Sequence, residues 1–272
     1  MRRIIRTAVI VAAAVACTLA LAAGASAAPT WAPASSATIH PGVQTLTNGG
    51  QCTSNFVFYD ATNVYLGQAA YCSSQGGQTD TDGCSTTSLP IGTPVDIDGA
   101  STPGTLVYNS WITMHDDGET DANTCAFNDL ALVKIDPADV AKVNPSVPDW
   151  GGPTGLAPAA PGSGETVYTY GNSSLRFGIT ALSPKQGTVI DNSAGGWSTD
   201  VYTVTPGIPG DSGSGFMNST GQAFGVLSTV QIAPLAGSNG VGTLPLELNY
   251  MHSHSSFTGT QLVPGTEPFS AG

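Results

Sequence analysis

Gly210-Asp211-Ser212-Gly213-Ser214-Gly215 is the stretch from which the rest of the chain is read. Three glycines in six residues favour a tight turn with backbone angles that side chains resist. A serine on such a turn can present its hydroxyl and nearby peptide N–H groups to one point. Acyl transfer needs both, a nucleophile and donors for the oxyanion that forms. Alone, the hexapeptide also fits an ordinary Gly/Ser turn in a glycine-rich protein. Two further segments narrow the reading. Asn128-Asp129-Leu130-Ala131-Leu132 places an acid at the head of an apolar strand, and Ala69-Ala70-Tyr71-Cys72 follows the strand candidate Val64–Gly67.

In this order the three segments resemble the trypsin/chymotrypsin-like serine peptidase family, specifically its secreted bacterial branch. There the pattern is Ala-Ala-His-Cys, then Asp-Leu/Ile-Ala-Leu, then Gly-Asp-Ser-Gly-Gly. Order and spacing agree from about Gln51 to His254. The resemblance implies an all-β chain of two six-stranded antiparallel Greek-key barrels, residues 44–150 and 151–272, with a short C-terminal helix. It implies Ser212 as nucleophile and the N–H groups of Gly210 and Ser212 as the oxyanion hole. Asp129 would be the acid that orients the catalytic imidazole. Ser228, Thr229 and Val230 match the strand segment that pairs with substrate backbone. Cys52 and Cys72 would brace the loop carrying the histidine, which leaves Cys84 with Cys125. In animal trypsins the acid before the serine pairs with a newly cut amino terminus. No such cleavage sequence is seen here, so Asp211 needs another partner, and Arg176 is the candidate. The segment Thr205–Pro209 offers no acid at the base of a specificity pocket, which disfavours Lys or Arg as the preferred residue.

The departure from the pattern is Tyr71, at the position of the catalytic histidine. Imidazole, with a reference pKa of about 6.5, can take the serine proton and return it to the leaving group near neutral pH. A phenol, with a reference pKa near 10, stays protonated there and is a poor base. A carboxylate beside it opposes phenolate further. The other histidines are His40, in the leader described below, His115, before the acids Asp116 to Asp121, and His252 and His254, in the C-terminal helix candidate. Each reads as a loop or surface histidine. The expectation is therefore a peptidase homologue that is weak or inactive. The alternatives are an active endopeptidase with a substitute base, a non-catalytic peptide- or protein-binding module, and an unrelated extracellular β-protein such as a lectin.

Composition agrees with this class. Gly and Pro supply 53 of the 272 residues and charged residues only 10%, which suits an all-β chain with many turns. The formal charge of −12 excludes an electrostatic nucleic-acid binder, which needs a basic face. Arg2, Arg3 and Arg6, the apolar stretch Ala8–Ala22 and Ala25-Ser26-Ala27 read as a signal peptide over 1–27, cleaved before Ala28. Its loss removes three of seven basic residues and none of the 19 acids, leaving −15. The paired arginines also hint at the twin-arginine route, and the export route stays open. The expected protein is secreted, monomeric and free of membrane after cleavage, with a peptide or protein as partner. Residues 28–43, rich in Pro, Ala and Ser, read as a loose leader or propeptide. The four remaining cysteines read as two disulfides in an exported chain, with three pairings open from their count alone. No cofactor or metal is expected: cysteine spacing fits no zinc site, and Asp116 to Asp121 lacks EF-hand spacing and reads as a solvated loop.

Among the strand candidates are Asn55–Tyr59 and Val64–Gly67 as a hairpin, then Thr105–Tyr108, Trp111–Thr113 and Leu130–Ile135. The second half offers Thr166–Tyr170, Gln186–Ile190, Asp200–Val204 and Ala223–Leu227, beyond a Pro/Gly-rich connection at Pro145–Gly164. Leu246–His254 alone looks helical.

Overall fold

The most apolar strand candidates become the middle of the first sheet. The computed structural model describes residues 29–77, 80–230 and 238–272. The expected signal peptide and its cleavage point lie outside the described residues. In the first half run β1 (Gln44–Thr47), β2 (Gly50–Thr53), β3 (Val57–Tyr59), β4 (Val64–Gln68), β5 (Pro94–Ile97), β6 (Gly104–Asn109) and β7 (Ala131–Lys134). The second half holds β8 (Thr166–Tyr170), β9 (Pro184–Ser193), β10 (Ser198–Thr203), β11 (Gly215–Met217), β12 (Ala223–Val230) and β13 (Asn239–Thr243), and β14 (Gln261–Leu262) follows near the C-terminus. Every residue of β4 is buried. It pairs antiparallel with β7, Leu66 opposite Val133, as expected of two runs with apolar side chains on both faces.

The second half closes into a six-stranded antiparallel barrel, in the order β10-β13-β12-β11-β8-β9. The first half does not form the second six-stranded barrel that the resemblance implied. It is an open sheet of eight strands, ordered β14-β3-β4-β7-β6-β5-β1-β2. Its eighth strand comes from a long-range pairing: Gln261 and Leu262 return from the end of the chain to pair with Tyr59 and Phe58. They occupy the outer edge of β3, and among the described strands β2 pairs only with β1.

Helices correct a second expectation. Trp111–Thr113, read as strand, lies in helix α1 (Ser110–Asp117). Its aromatic and β-branched residues favour strand, but Asn109 turns the chain. The Asn109 carboxamide oxygen accepts from Trp111 N–H at 2.9 Å and from Ile112 N–H, an N-cap. Gly118 ends the helix at φ 66°, where a left-handed residue closes the last turn. Helix α2 (Ala122–Phe127) is capped by Asp121, which accepts from Thr124 N–H. Helix α3 (Leu244–His254) occupies the segment expected to be helical.

Residues 29–43, read as a leader, lie against the first half. Ile39 is fully buried and bridges Val143, whose carbonyl accepts from Ala32 N–H at 2.8 Å. Between the sheets, Phe56, Leu130 and Leu132 share one core with Val226, Leu244 and Met251. Truncating a buried leucine such as Leu132 to alanine costs about 2–5 kcal/mol. This shared core places the head of β7 and the turn before β11 side by side.

Candidate functional site

The Ser212 turn is built from glycines that nothing else could replace. Gly210 has φ 97° and Gly213 φ 91°, angles that side chains rarely adopt. A Cβ on Gly213 would lie 2.5 Å from the Thr53 carbonyl and 2.9 Å from Ala69 N, so the turn is pressed against the first sheet. Thr53 N–H donates to Ser212 O at 2.9 Å, and Gly213 N–H to Leu227 O at 2.7 Å. The Gly210 carbonyl accepts from Gln51 Nε2 and Thr53 Oγ1, both at 2.8 Å. The N–H groups of Gly210 and Ser212 have no acceptor among the described residues. Two unspent donors flanking a serine are what an oxyanion would need.

Asp211, next to the serine, is wholly buried and held by five donors. Arg176 grips it as a fork, Nη1 to Oδ1 at 2.6 Å and Nη2 to Oδ2 at 2.7 Å. Lys185 Nζ reaches Oδ2 at 2.6 Å, and the N–H groups of Ser173 and Ile208 complete the shell. Burial works to raise the Asp211 pKa, but the hydrogen bonds and charges of Arg176 and Lys185 outweigh it and hold the carboxylate below its ordinary value. Arg176 thus occupies the role expected of it. Lys185 was missed, because a lysine in a polar-looking strand gives no sign that it will be buried.

Asp129, at the head of β7, is also buried. Its Oδ1 accepts from the Tyr71 peptide N–H at 2.8 Å, and its Oδ2 accepts from Ser228 Oγ at 2.5 Å. Burial pushes its pKa up to about 6, while the bonds from Ser228 and Tyr71 N–H pull the other way. Tyr71 sits on a 3₁₀ turn, Ala70–Ser73. Its half-buried ring meets Trp111 of α1 edge-on, centroids 6.0 Å apart. Burial first, then the charges of Asp129 and Asp80, raise the phenol's pKa further above its ordinary value. At neutral pH this group keeps its proton.

Tyr71, Gly210, Ser212, Ser228 and Thr229 line one groove of about 1070 Å³ that also touches Gln51, Ile208 and Leu227. Val230 ends β12, and its side chain lies outside the described residues. The disulfides Cys52–Cys72 and Cys84–Cys125 are formed, with Cys52 and Cys72 on the groove wall. None of the four histidines lines it. His40 bonds the Pro41 carbonyl, His115 the Thr86 carbonyl, His252 the Thr260 carbonyl, and His254 the Asp117 carboxylate.

One group behind the site gave no signal in the sequence. Glu247 of α3 is fully buried, and its Oε1 accepts from the Asp129 peptide N–H at 3.0 Å. Among the described residues, the cluster with metal-ligand proximity is Asp82, Cys84 and Cys125. Both its sulfurs are spent in a disulfide. In the acidic stretch, Asp121 caps α2, Glu119 accepts from two peptide N–H groups and Asp117 pairs with His254. Among the described residues no helix is long and apolar enough to cross a membrane.

No protein-family model matches the chain, and no curated protein matches it in sequence. Among solved structures it is similar to Thermobifida fusca Protease A, with 19% identity, a TM-score of 0.55, and coverage of 84% of this chain and 99% of that one. It is also similar to a glutamic-acid-specific serine protease described as using a histidine triad in substrate binding. There the identity is 16% and the TM-score 0.50, with coverage of 83% and 100%. At these identities the likeness establishes the fold: the chain has a chymotrypsin/trypsin-like serine-protease fold.

Proposed function

We propose that this chain is a secreted, monomeric serine endopeptidase homologue that binds extended peptide in the Ser212 groove and hydrolyses it weakly or not at all. The observation that carries the reading is the arrangement around Tyr71. Asp129 is held by Ser228 and by the Tyr71 peptide N–H, Ser212 lies in the same groove, and the N–H groups of Gly210 and Ser212 have no acceptor among the described residues. A hydrolase site of this class needs one more group, a base between acid and nucleophile. A phenol whose pKa is raised above its ordinary value is not that base.

With no histidine on the groove, the reading of a substitute base has no candidate imidazole. The binding reading stands beside the catalytic one. The edge of β12 at Ser228 and Thr229 can add a peptide as a further strand, and this needs no base. The mature chain and its Ser212→Ala variant, assayed side by side on a peptide-ester library, test the proposal. Equal, near-background rates are expected. Fast turnover that Ser212→Ala abolishes would overturn it.

A further inference from the structure

Glu247 is not explained by fold alone. A fully buried carboxyl is costly unless each oxygen finds a partner. One oxygen accepts from the Asp129 N–H at 3.0 Å. The other, Oε2, has no partner among the described residues, and neither have the two amide atoms of Asn128, the residue just before Asp129. Room for the acid is provided on the far side by Gly242, where a Cβ would stand 2.6 Å from Oε1. An apolar side chain at 247 would fill such a site without an unpartnered oxygen. The carboxyl is therefore kept for the one bond it does make.

That bond completes a grip on Asp129 from three directions. Ser228 of β12 holds Oδ2, the Tyr71 N–H holds Oδ1 while the neighbouring Ala70 N–H donates to the Asp129 carbonyl at 3.1 Å, and Glu247 of α3 holds the Asp129 N–H. Two of the three come from the second half of the chain, whereas Asp129 heads a strand of the first. We propose that Glu247 is a positioning residue for Asp129: by accepting the Asp129 peptide N–H, it sets how the Asp129 carboxylate is presented to position 71. This rests on the reading of Asp129 as the acid of a peptidase-like site. Burial, above all, pushes the Glu247 carboxyl well above its ordinary value. That shift favours the neutral acid over a second charge beside Asp129.

The test uses the Tyr71→His background for catalysis and the natural chain for structure. Glu247→Gln keeps a neutral acceptor at the same reach. Glu247→Leu removes it, and Glu247→Asp withdraws it by one methylene while keeping the acid. In Tyr71→His, Leu and Asp are expected to lower kcat about tenfold with KM little changed, the loss of one well-placed bond. Gln is expected to restore kcat. In the natural chain, amide exchange at Tyr71 and Asp129 should speed up with Leu and Asp and stay slow with Gln. Should Leu fail to fold, Asp against Gln makes the same comparison. Folded Leu or Asp variants with unchanged kcat and unchanged exchange would overturn the proposal, as would a Gln variant as impaired as Leu. If Tyr71→His itself has no activity, the peptidase reading fails, and the exchange data alone then decide whether Glu247 holds Asp129.

Discussion

Replacing Arg176 by methionine probes the ion cluster on which the serine turn rests. Asp211 is 0% exposed, and the side chains of Arg176 and Lys185 are 5% and 3% exposed, so solvent screens these bonds little. The change removes both bonds of the guanidinium fork and leaves Lys185 and two peptide N–H groups. Bonds to charged groups are each worth about 1.5–3 kcal/mol, and breaking a buried pair costs about 3–5 kcal/mol. With one cation remaining, the low end applies, about 3 kcal/mol, or a Tm lower by about 6–12 °C for a chain of this size. Arg176→Lys, which cannot rebuild the fork, should lose about half as much. Lys185→Met should also destabilise. In the double variant the losses should exceed their sum by about 1 kcal/mol or more, because the last counter-charge is gone. The folded-state pKa of Asp211 lies below its unfolded value. Its contribution is therefore present above about pH 4 and lost as pH falls through the folded value, and the Arg176→Met variant should lose less stability on acidification. Urea unfolding followed by tryptophan fluorescence, with disulfides intact, measures all four variants against the natural chain. An Arg176→Met midpoint within error of the natural chain would refute the reasoning.

Three further outcomes follow from other parts of the site. Asp129 should titrate near 6 in a carbon-detected NMR experiment, since burial raises it to about 6. Because that value lies above the unfolded one, stability from this group is full below about pH 4 and falls by about 3 kcal/mol as pH rises to about 6, whereas a midpoint near 4 would contradict the burial argument. Gly213→Ala should prevent the native turn from forming, because its Cβ would meet the Thr53 carbonyl at 2.5 Å; soluble protein with an unchanged Tm would contradict this. Replacing both Cys84 and Cys125 by alanine opens a link spanning 41 residues and should cost about 4 kcal/mol by chain entropy, read as a lower urea midpoint.

What the sequence revealed and what it hid divide along the range of the interactions. The Ser212 turn was legible because three glycines and a serine are local signals. The strand after Asp129 was legible because Leu130 to Ile135 is nearly all apolar. That two disulfides form followed from the cysteine count, and their pairing from the resemblance; the resemblance also showed that Asp211 needs a partner, for which Arg176 was the candidate. The eighth strand of the first sheet was hidden, because it depends on Gln261 and Leu262 crossing the chain to β3. Helix α1 was hidden for the opposite reason: Trp111, Ile112 and Thr113 carry strand propensity, and the single side chain of Asn109 overrides it. Lys185 and Glu247 look like surface residues in sequence. Only packing shows that one neutralises Asp211 and the other holds Asp129.

The central claim is that one side chain, Tyr71, separates this site from a working peptidase. The direct measurement is kcat/KM of Tyr71→His against the natural chain and Tyr71→His/Ser212→Ala, on one uncharged peptide ester. Loss of the histidine from a comparable triad costs about 10⁶ in turnover. Tyr71→His is therefore predicted to gain about 10³-fold or more, and the added Ser212→Ala to return it to background. Equal rates for Tyr71→His and the natural chain, both folded, would contradict the account.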